Sequence, residues 1–274
     1  MRLTRVFFDG ALDPGGTVEL SQDSAAHLAK VLRARSGDEL VLFNGNGCEF
    51  DGAVETVRGV RVSASIGAAR SIDRESPFPM TLVQCVPRGD RMDFIVQKAT
   101  ELGIARIVPV LSQRSVVRLD AGQSAAKQAH WRAVAVSACE QCGRNRLPIV
   151  ELPRALLSHL GAMPRTAAPG FHRLVLEPER GRQAQGGADP PIELDGAPPA
   201  VGAEIAVGPE GGFSPAELEA FELSAFSRMS LGPRVLRTET AAIAAIVVLQ
   251  ARFGDMSAVS DGVARHRLLM SPET

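Results

Sequence analysis

From Thr81 to Phe253, apolar runs of strand length alternate with helix-length segments, and this alternation restricts the fold more than any other feature. Thr81 to Val86 reads as a buried strand, and Asp90 to Leu102 as a helix stopped by Gly103. Ile104 to Leu111 is the next strand, and Gln123 to Cys142 is a long helix ended by Gly143. His172 to Leu176 and Glu204 to Val207 are short strands, and Ala241 to Phe253 is a helix, apolar almost all round and so buried. Strands interleaved with helices predict an α/β fold with a mostly parallel sheet covered on both faces.

The first seventy or so residues follow another rule. Leu40 to Phe43, the turn Asn44-Gly45-Asn46-Gly47, and Glu49 to Val57 read as a hairpin, and Val60 to Ile66 alternates as well. One helix interrupts, Ser24 to Leu32, with Ala25, Leu28, Val31 and Leu32 as its apolar positions. This part predicts a small β-barrel. Ser71 to Pro79 is polar and carries prolines, which places a boundary there and divides the chain into 1–72 and 73–274. Between 179 and 200 a Gly-, Pro-, Gln- and Ala-rich stretch without periodicity reads as a mobile surface loop.

Two glycine-bearing junctions link strand-like runs to helix starts. In the first, Gly208-Pro209-Glu210-Gly211-Gly212 precedes Ser214-Pro215-Ala216-Glu217, a capping box with proline at the first helical position and Phe213 and Leu218 at the staple positions. Such a loop, pinned against a helix, can offer its amides to a polar ligand. It lacks both the GK[ST] of a P-loop and the GxGxxG spacing. In the second, Leu231-Gly232-Pro233-Arg234-Val235-Leu236-Arg237 leads into Thr238-Glu239-Thr240. Its arginines are costly against a buried helix unless they meet partners, and Glu210 or Glu239 would serve. Two such junctions suggest a binding crevice at the carboxyl ends of adjacent strands.

Bulk numbers exclude more than they select. The chain is 45% apolar and 22% charged, as in soluble globular proteins. Thirty basic and 31 acidic residues nearly cancel, so net charge does not advertise a nucleic-acid partner, although a local basic face is compatible with that total. No secretory signal is visible near Met1, and the longest apolar stretch, Ala241 to Leu249, is too short to span a bilayer, which predicts a cytoplasmic protein. Cys139 and Cys142 form a CxxC, but with no second ligand pair they read as two small helix residues rather than half a metal site.

The two junctions together resemble those of the bacterial 16S ribosomal RNA (uracil-N3)-methyltransferases of the SPOUT superfamily. Matching stretches run along the rest of the chain: His27 to Arg33, Lys98 to Gly103, Arg114 to Val117 and Glu140 to Arg144. The resemblance implies a PUA-like barrel over 1–72 and a methyltransferase domain over 73–274 with a C-terminal trefoil knot. It also implies S-adenosylmethionine as cofactor, a homodimer, and 16S ribosomal RNA in the small subunit as partner. Carried over residue by residue, the cofactor pocket draws on Leu176, Glu177, Gly208, Gly211, Gly212, Leu231, Gly232, Leu236, Arg237, Thr238 and Thr240.

Methyl transfer to uracil N3 requires loss of the N3 proton, hence a base or a cation that stabilises the developing anion. Glu140, Glu210 and Glu239 are the available carboxylates, and Arg144 and Arg237 the available cations. The favoured roles are anion stabilisation by Arg237, or by Arg144 from the partner subunit, with Glu210 as the carboxylate. Arg33, Arg35, Arg114 and Arg118 are the candidate RNA-facing residues. A non-catalytic RNA-binding or ribosome-assembly module of the same fold is the alternative. A nicotinamide-dependent oxidoreductase ranks last for want of the dinucleotide fingerprint.

Overall fold

The Asn-Gly turn at 44–47 folds β3 (Glu39–Phe43) back on β4 (Cys48–Arg58), which pairs antiparallel with β5 (Arg61–Ser71). The computed structural model, which describes residues 3–177 and 200–256, completes this sheet with β1 (Thr4–Phe7) and β2 (Thr17–Glu19) in the order β1-β3-β4-β5-β2. The sheet surrounds a core of its own that includes Leu40, Leu42, Phe50, Val54, Val62, Ala64 and Ile66. The alternating positions of β5 supply Val62, Ala64 and Ile66 to that core, as period-2 burial demands. The loop expected over 179–200 lies, except for Ala200, outside the described residues.

The helix expected over 24–32 is two pieces. Gln22–Ala26 is α-helical, capped by the Ser21 hydroxyl, and His27–Leu32 is wound as a π-helix that ends at Arg33 in the left-handed conformation, φ +53°. The wider winding rotates the end of the segment off the core face. Leu28 stays buried, whereas Val31 is 66% and Leu32 46% exposed, so only part of the apolar pattern of this segment faces the core.

The second sheet contains β6 (Met80–Cys85), β7 (Arg106–Leu111), β8 (Ile149–Val150), β9 (Arg154–Ala155), β10 (Phe171–Leu176), β11 (Gly202–Val207) and β12 (Ser227–Met229). Their order is β12-β10-β11-β6-β7-β8, β9 also pairs with β7, and every pairing is parallel. Because β6 is covered on both faces, its side chains divide between two cores. Met80 and Leu82 join the helices Arg91–Glu101, Ala121–Cys142 and Thr238–Phe253, while Val83 and Cys85 join Leu156–Gly161 and Pro215–Leu223. Each fully buried aliphatic there contributes about 1.5–3 kcal/mol. No described helix is long and apolar enough to cross a membrane.

A polar seam joins the two sheets. The Arg5 guanidinium donates to Glu49 at 2.6 Å, to the Asn145 side chain at 2.6 Å and to the Arg144 carbonyl at 3.1 Å. Arg74 donates to Glu49 and to the Gly143 carbonyl. Phe7 and Phe43 pack with Cys139 beside it.

Candidate active site

All strands of the second sheet point the same way, so the loops after β6, β7, β11 and β12 leave from one edge. After β11 the chain passes through Gly208–Gly212 to Ser214, the cap of helix Pro215–Leu223. The expected capping box is present: the Ser214 hydroxyl accepts from the Glu217 amide, and the Ser214 amide donates to the Glu217 carboxylate at 2.8 Å. Glu217 is fully buried, and its other oxygen accepts from the Gln113 amide at 2.7 Å. One carboxylate therefore fixes the loop after β11 to the loop after β7. Beside it, Arg114 donates to the Gly211 carbonyl at 3.0 Å.

The second junction is tied to the first by side chains. Buried Thr238, at the start of helix Thr238–Phe253, donates through Oγ1 to the Gly208 carbonyl at 2.8 Å and accepts from Gln84 Nε2 at 2.9 Å. Gln84, fully buried near the end of β6, donates from the same amide nitrogen to the Cys85 carbonyl. Gly232 turns the loop with φ +93°, a conformation that carries strain for a residue with a Cβ. At Gly208 an added Cβ would stand 3.1 Å from the Phe213 ring.

These segments enclose a cavity of about 440 Å³. Its apolar walls include Leu176, Val207, Phe213, Met229, Leu231 and Leu236. Among the described residues the amides of Arg234, Val235, Leu236 and Arg237 donate to no backbone carbonyl, and the helix that follows has no side-chain cap. Bare amide donors thus sit beside an apolar slot. Arg234 and Arg237 line the same cavity, and neither side chain makes a hydrogen bond or ion pair with a described residue. Glu210, also a lining residue, pairs instead with Arg91 at 2.5 Å, so neither intramolecular partner foreseen for the arginines is used.

The cavity brings together Leu176, Glu177, Gly208, Gly212, Leu231, Gly232, Leu236, Arg237 and Thr238 of the residues expected to hold the cofactor, with Glu210 and Arg114. Gly211 and Thr240 stand outside its lining; Gly211 is held from behind by Arg114. Val207, Phe213, Met229, Arg234, Val235 and Ala241 are added. Met229 was illegible because β12 is three residues long, and only its register with Leu176 brings it there.

Arg144, expected to act from the partner subunit, is committed within its own chain. It is 4% exposed and does not line the cavity; its guanidinium donates to both Glu75 oxygens and to the carbonyls of Thr100 and Ile104. A cation so committed fastens the chain after the long helix rather than facing a substrate. Glu140 is likewise at the seam between the sheets, accepting from the Phe7 amide at 3.0 Å; burial pushes its carboxyl up. Glu239 does not line the cavity. Arg33, Arg35 and Arg118 are exposed and lie outside the cavity lining, with Arg118 donating to the Ser115 carbonyl.

Below the loops, burial pushes the Cys85 thiol up to about 12, so it is a neutral wall. Cys139 and Cys142 are free thiols, and no described group of three or more His, Cys, Asp or Glu is arranged to hold a metal. The Cys139 hydrogen bond, helped by Arg144, holds the Cys142 thiol below its usual range.

Residues 74–250 match the model of an RNA methyltransferase domain, and residues 20–62 that of an RNA methyltransferase PUA domain. This chain belongs to the RNA methyltransferase family. The family resemblance read from the two junctions is thereby borne out, as is the PUA-like, α/β architecture. The chain is 32% identical over 240 residues to the ribosomal RNA small subunit methyltransferase E of Mycobacterium bovis, covering 88% of each. It is 30% identical to the enzyme of that name from Bacillus subtilis, covering 86% of this chain and 90% of that one. Among solved structures, a Neisseria gonorrhoeae ribosomal RNA small subunit methyltransferase E bound to S-adenosylmethionine matches with a TM-score of 0.80 at 34% identity, over 93% of this chain and all of that one. A Legionella pneumophila methyltransferase in complex with the same cofactor matches with a TM-score of 0.81 at 37% identity, again over 93% of this chain and 100% of that one.

Proposed function

We propose that this RNA methyltransferase binds S-adenosylmethionine in the cavity at the carboxyl edge of the second sheet and methylates N3 of a uridine in 16S ribosomal RNA of the small subunit. The observation that carries the cofactor assignment is the combination of apolar walls with the uncommitted amides of 234–237. An adenine ring has apolar faces and a hydrogen-bonding edge, and such a slot suits both. Gly232, with no Cβ, leaves backbone open to close approach. The names of the relatives support a ribosomal small-subunit substrate.

When bound, the cofactor supplies an electrophilic methyl group. The chain's own residues must position the uracil and handle the N3 proton. Arg237, which lines the cavity and pairs with no described residue, stabilises the anion left when that proton departs. Glu210 lines the same cavity and is the carboxylate that accepts the proton, and Arg91 tempers its charge. Arg114 stands beside them as a phosphate contact, with Arg33, Arg35 and Arg118 as further RNA contacts. We drop Arg144 from the catalytic set.

The same reading divides the chain at 72/73, takes it to be cytoplasmic and includes the trefoil crossing, part of whose path lies outside the described residues. It also includes a homodimer. Helix Thr238–Phe253 buries Ala242, Ala245, Ile246 and Leu249 but leaves Ile243, Ala244 and Val247 half-buried and Val248 46% exposed, apolar side chains that suit a second copy.

The test is to incubate the protein with labelled S-adenosylmethionine and small subunits lacking the modification, then to map the labelled nucleoside. N3-methyluridine is expected, and Arg237→Ala should lower kcat by 100-fold or more. Label on a uracil carbon or a ribose hydroxyl would refute the N3 assignment.

A further inference from the structure

The segment between the first helix and β3 is built in a way that the cavity does not explain. His27–Leu32 is π-wound, and π-helical turns concentrate at functional positions. It ends at Arg33 with φ +53°, where a side chain costs about 1–2 kcal/mol. Other contacts hold this backbone in place. The Arg33 amide donates to the Leu28 carbonyl, as does the Ala34 amide at 3.0 Å, and the Arg35 amide donates to the Asp38 carboxylate at 2.7 Å. Leu28 and Ala25 anchor the segment in the barrel core. A strained backbone held this firmly fixes the directions in which its side chains leave the chain.

Those side chains are of two kinds. Val31 and Leu32, adjacent in sequence, are 66% and 46% exposed. Around them Lys30, Arg33 and Arg35 are all exposed, and none of the three side chains makes a hydrogen bond or ion pair with a described residue. The neighbouring acids form no ion pair with them: Asp38 accepts from the Arg35 amide, and exposed Asp23 and Glu39 pair with none of the three. Two exposed aliphatic side chains, with three cations close to them in sequence that pair with no described residue, complement a polyanion with exposed apolar faces. Nucleic acid has that character, because phosphates flank bases that unstack to admit an aliphatic wedge.

We infer that Val31 and Leu32 form a wedge that inserts against an unstacked base of the substrate RNA while Lys30, Arg33 and Arg35 grip the flanking phosphates. The inference rests on the RNA methyltransferase reading and adds an apolar recognition element remote from the cofactor cavity. An aliphatic wedge contributes affinity that does not depend on salt, whereas each phosphate contact contributes to the salt slope.

The two components separate by substitution. All the positions are exposed, so V31S/L32S and R33N/R35Q should fold with unchanged melting temperatures; asparagine tolerates the left-handed conformation at 33. Binding of full-length protein to protein-free RNA from small ribosomal subunits is measured across a potassium chloride series. V31S/L32S should lose about tenfold in affinity with an unchanged slope of log K against log salt. R33N/R35Q should flatten that slope by roughly 1.5. If V31S/L32S binds within twofold of wild type, the wedge is refuted. Weaker binding to assembled subunits with normal binding to naked RNA would also refute it, because the patch would then dock on a ribosomal protein. Methyl transfer by wild type is assayed in parallel. Its absence, with both variants binding as expected, would overturn the enzyme reading while supporting the wedge.

Discussion

Glu49 shows what a single buried charge does here. It is 3% exposed, and although burial raises its carboxyl, hydrogen bonds and charge from Arg5 and Arg74 hold it below the usual carboxylate value. Its folded pKa therefore lies below its unfolded value of about 4.3, so its contribution to stability is complete above that value and is lost as pH falls through the folded one. Glu49→Gln should cost about 3 kcal/mol at pH 7, because Arg5 is left without its carboxylate. Denaturant titrations from pH 7 to pH 3 should show wild type and variant converging in acid; a constant gap would contradict the assignment. Glu140 works in the opposite sense: with its folded pKa raised, its contribution improves as pH falls. The same scale explains why the surroundings of Arg144 were not legible. In the sequence it is a cation just past a helix end, and nothing local points to Glu75, 69 residues away, as its partner.

At the scale of elements, much of the molecule was legible because its signals are local. The Asn-Gly hairpin, the Ser214–Glu217 box and the helices ended by Gly103 and Gly143 rest on nearest-neighbour chemistry, and the structure has each of them. β8, β9 and β12 are two or three residues long and exist only because a neighbouring strand pairs with them, so no periodicity announces them. The π-winding of His27–Leu32 was hidden too, since the apolar positions fit an α-helix equally well. For the cavity, the glycine loops were visible, but the Gln84–Thr238–Gly208 chain that joins them spans three elements and was not. The second loop depends on the positive φ of Gly232. Gly232→Ala should destabilise the protein by about 1–2 kcal/mol and weaken S-adenosylmethionine at least tenfold by calorimetry. Unchanged affinity would remove that loop from the cofactor site.

For the whole molecule, the seam between the sheets decides whether there are two stabilities or one. Arg5 reaches from β1 to Glu49, Asn145 and the Arg144 carbonyl, and Phe7 and Phe43 pack on Cys139 of the long helix. Scanning calorimetry should give one transition for wild type. Arg5→Ala should split it, the smaller barrel melting first. A single transition in both would mean that apolar packing alone couples the two parts.

The strand order has a further consequence during synthesis. β6 pairs with β7, which follows it closely in sequence, but its other neighbour, β11, is made more than a hundred residues later. At about 5–20 residues per second, one edge of the central strand waits roughly 6–25 s on the ribosome before its partner emerges. Until then an open hydrophobic ribbon protrudes from the nascent chain, so newly made molecules should be clients of holding chaperones.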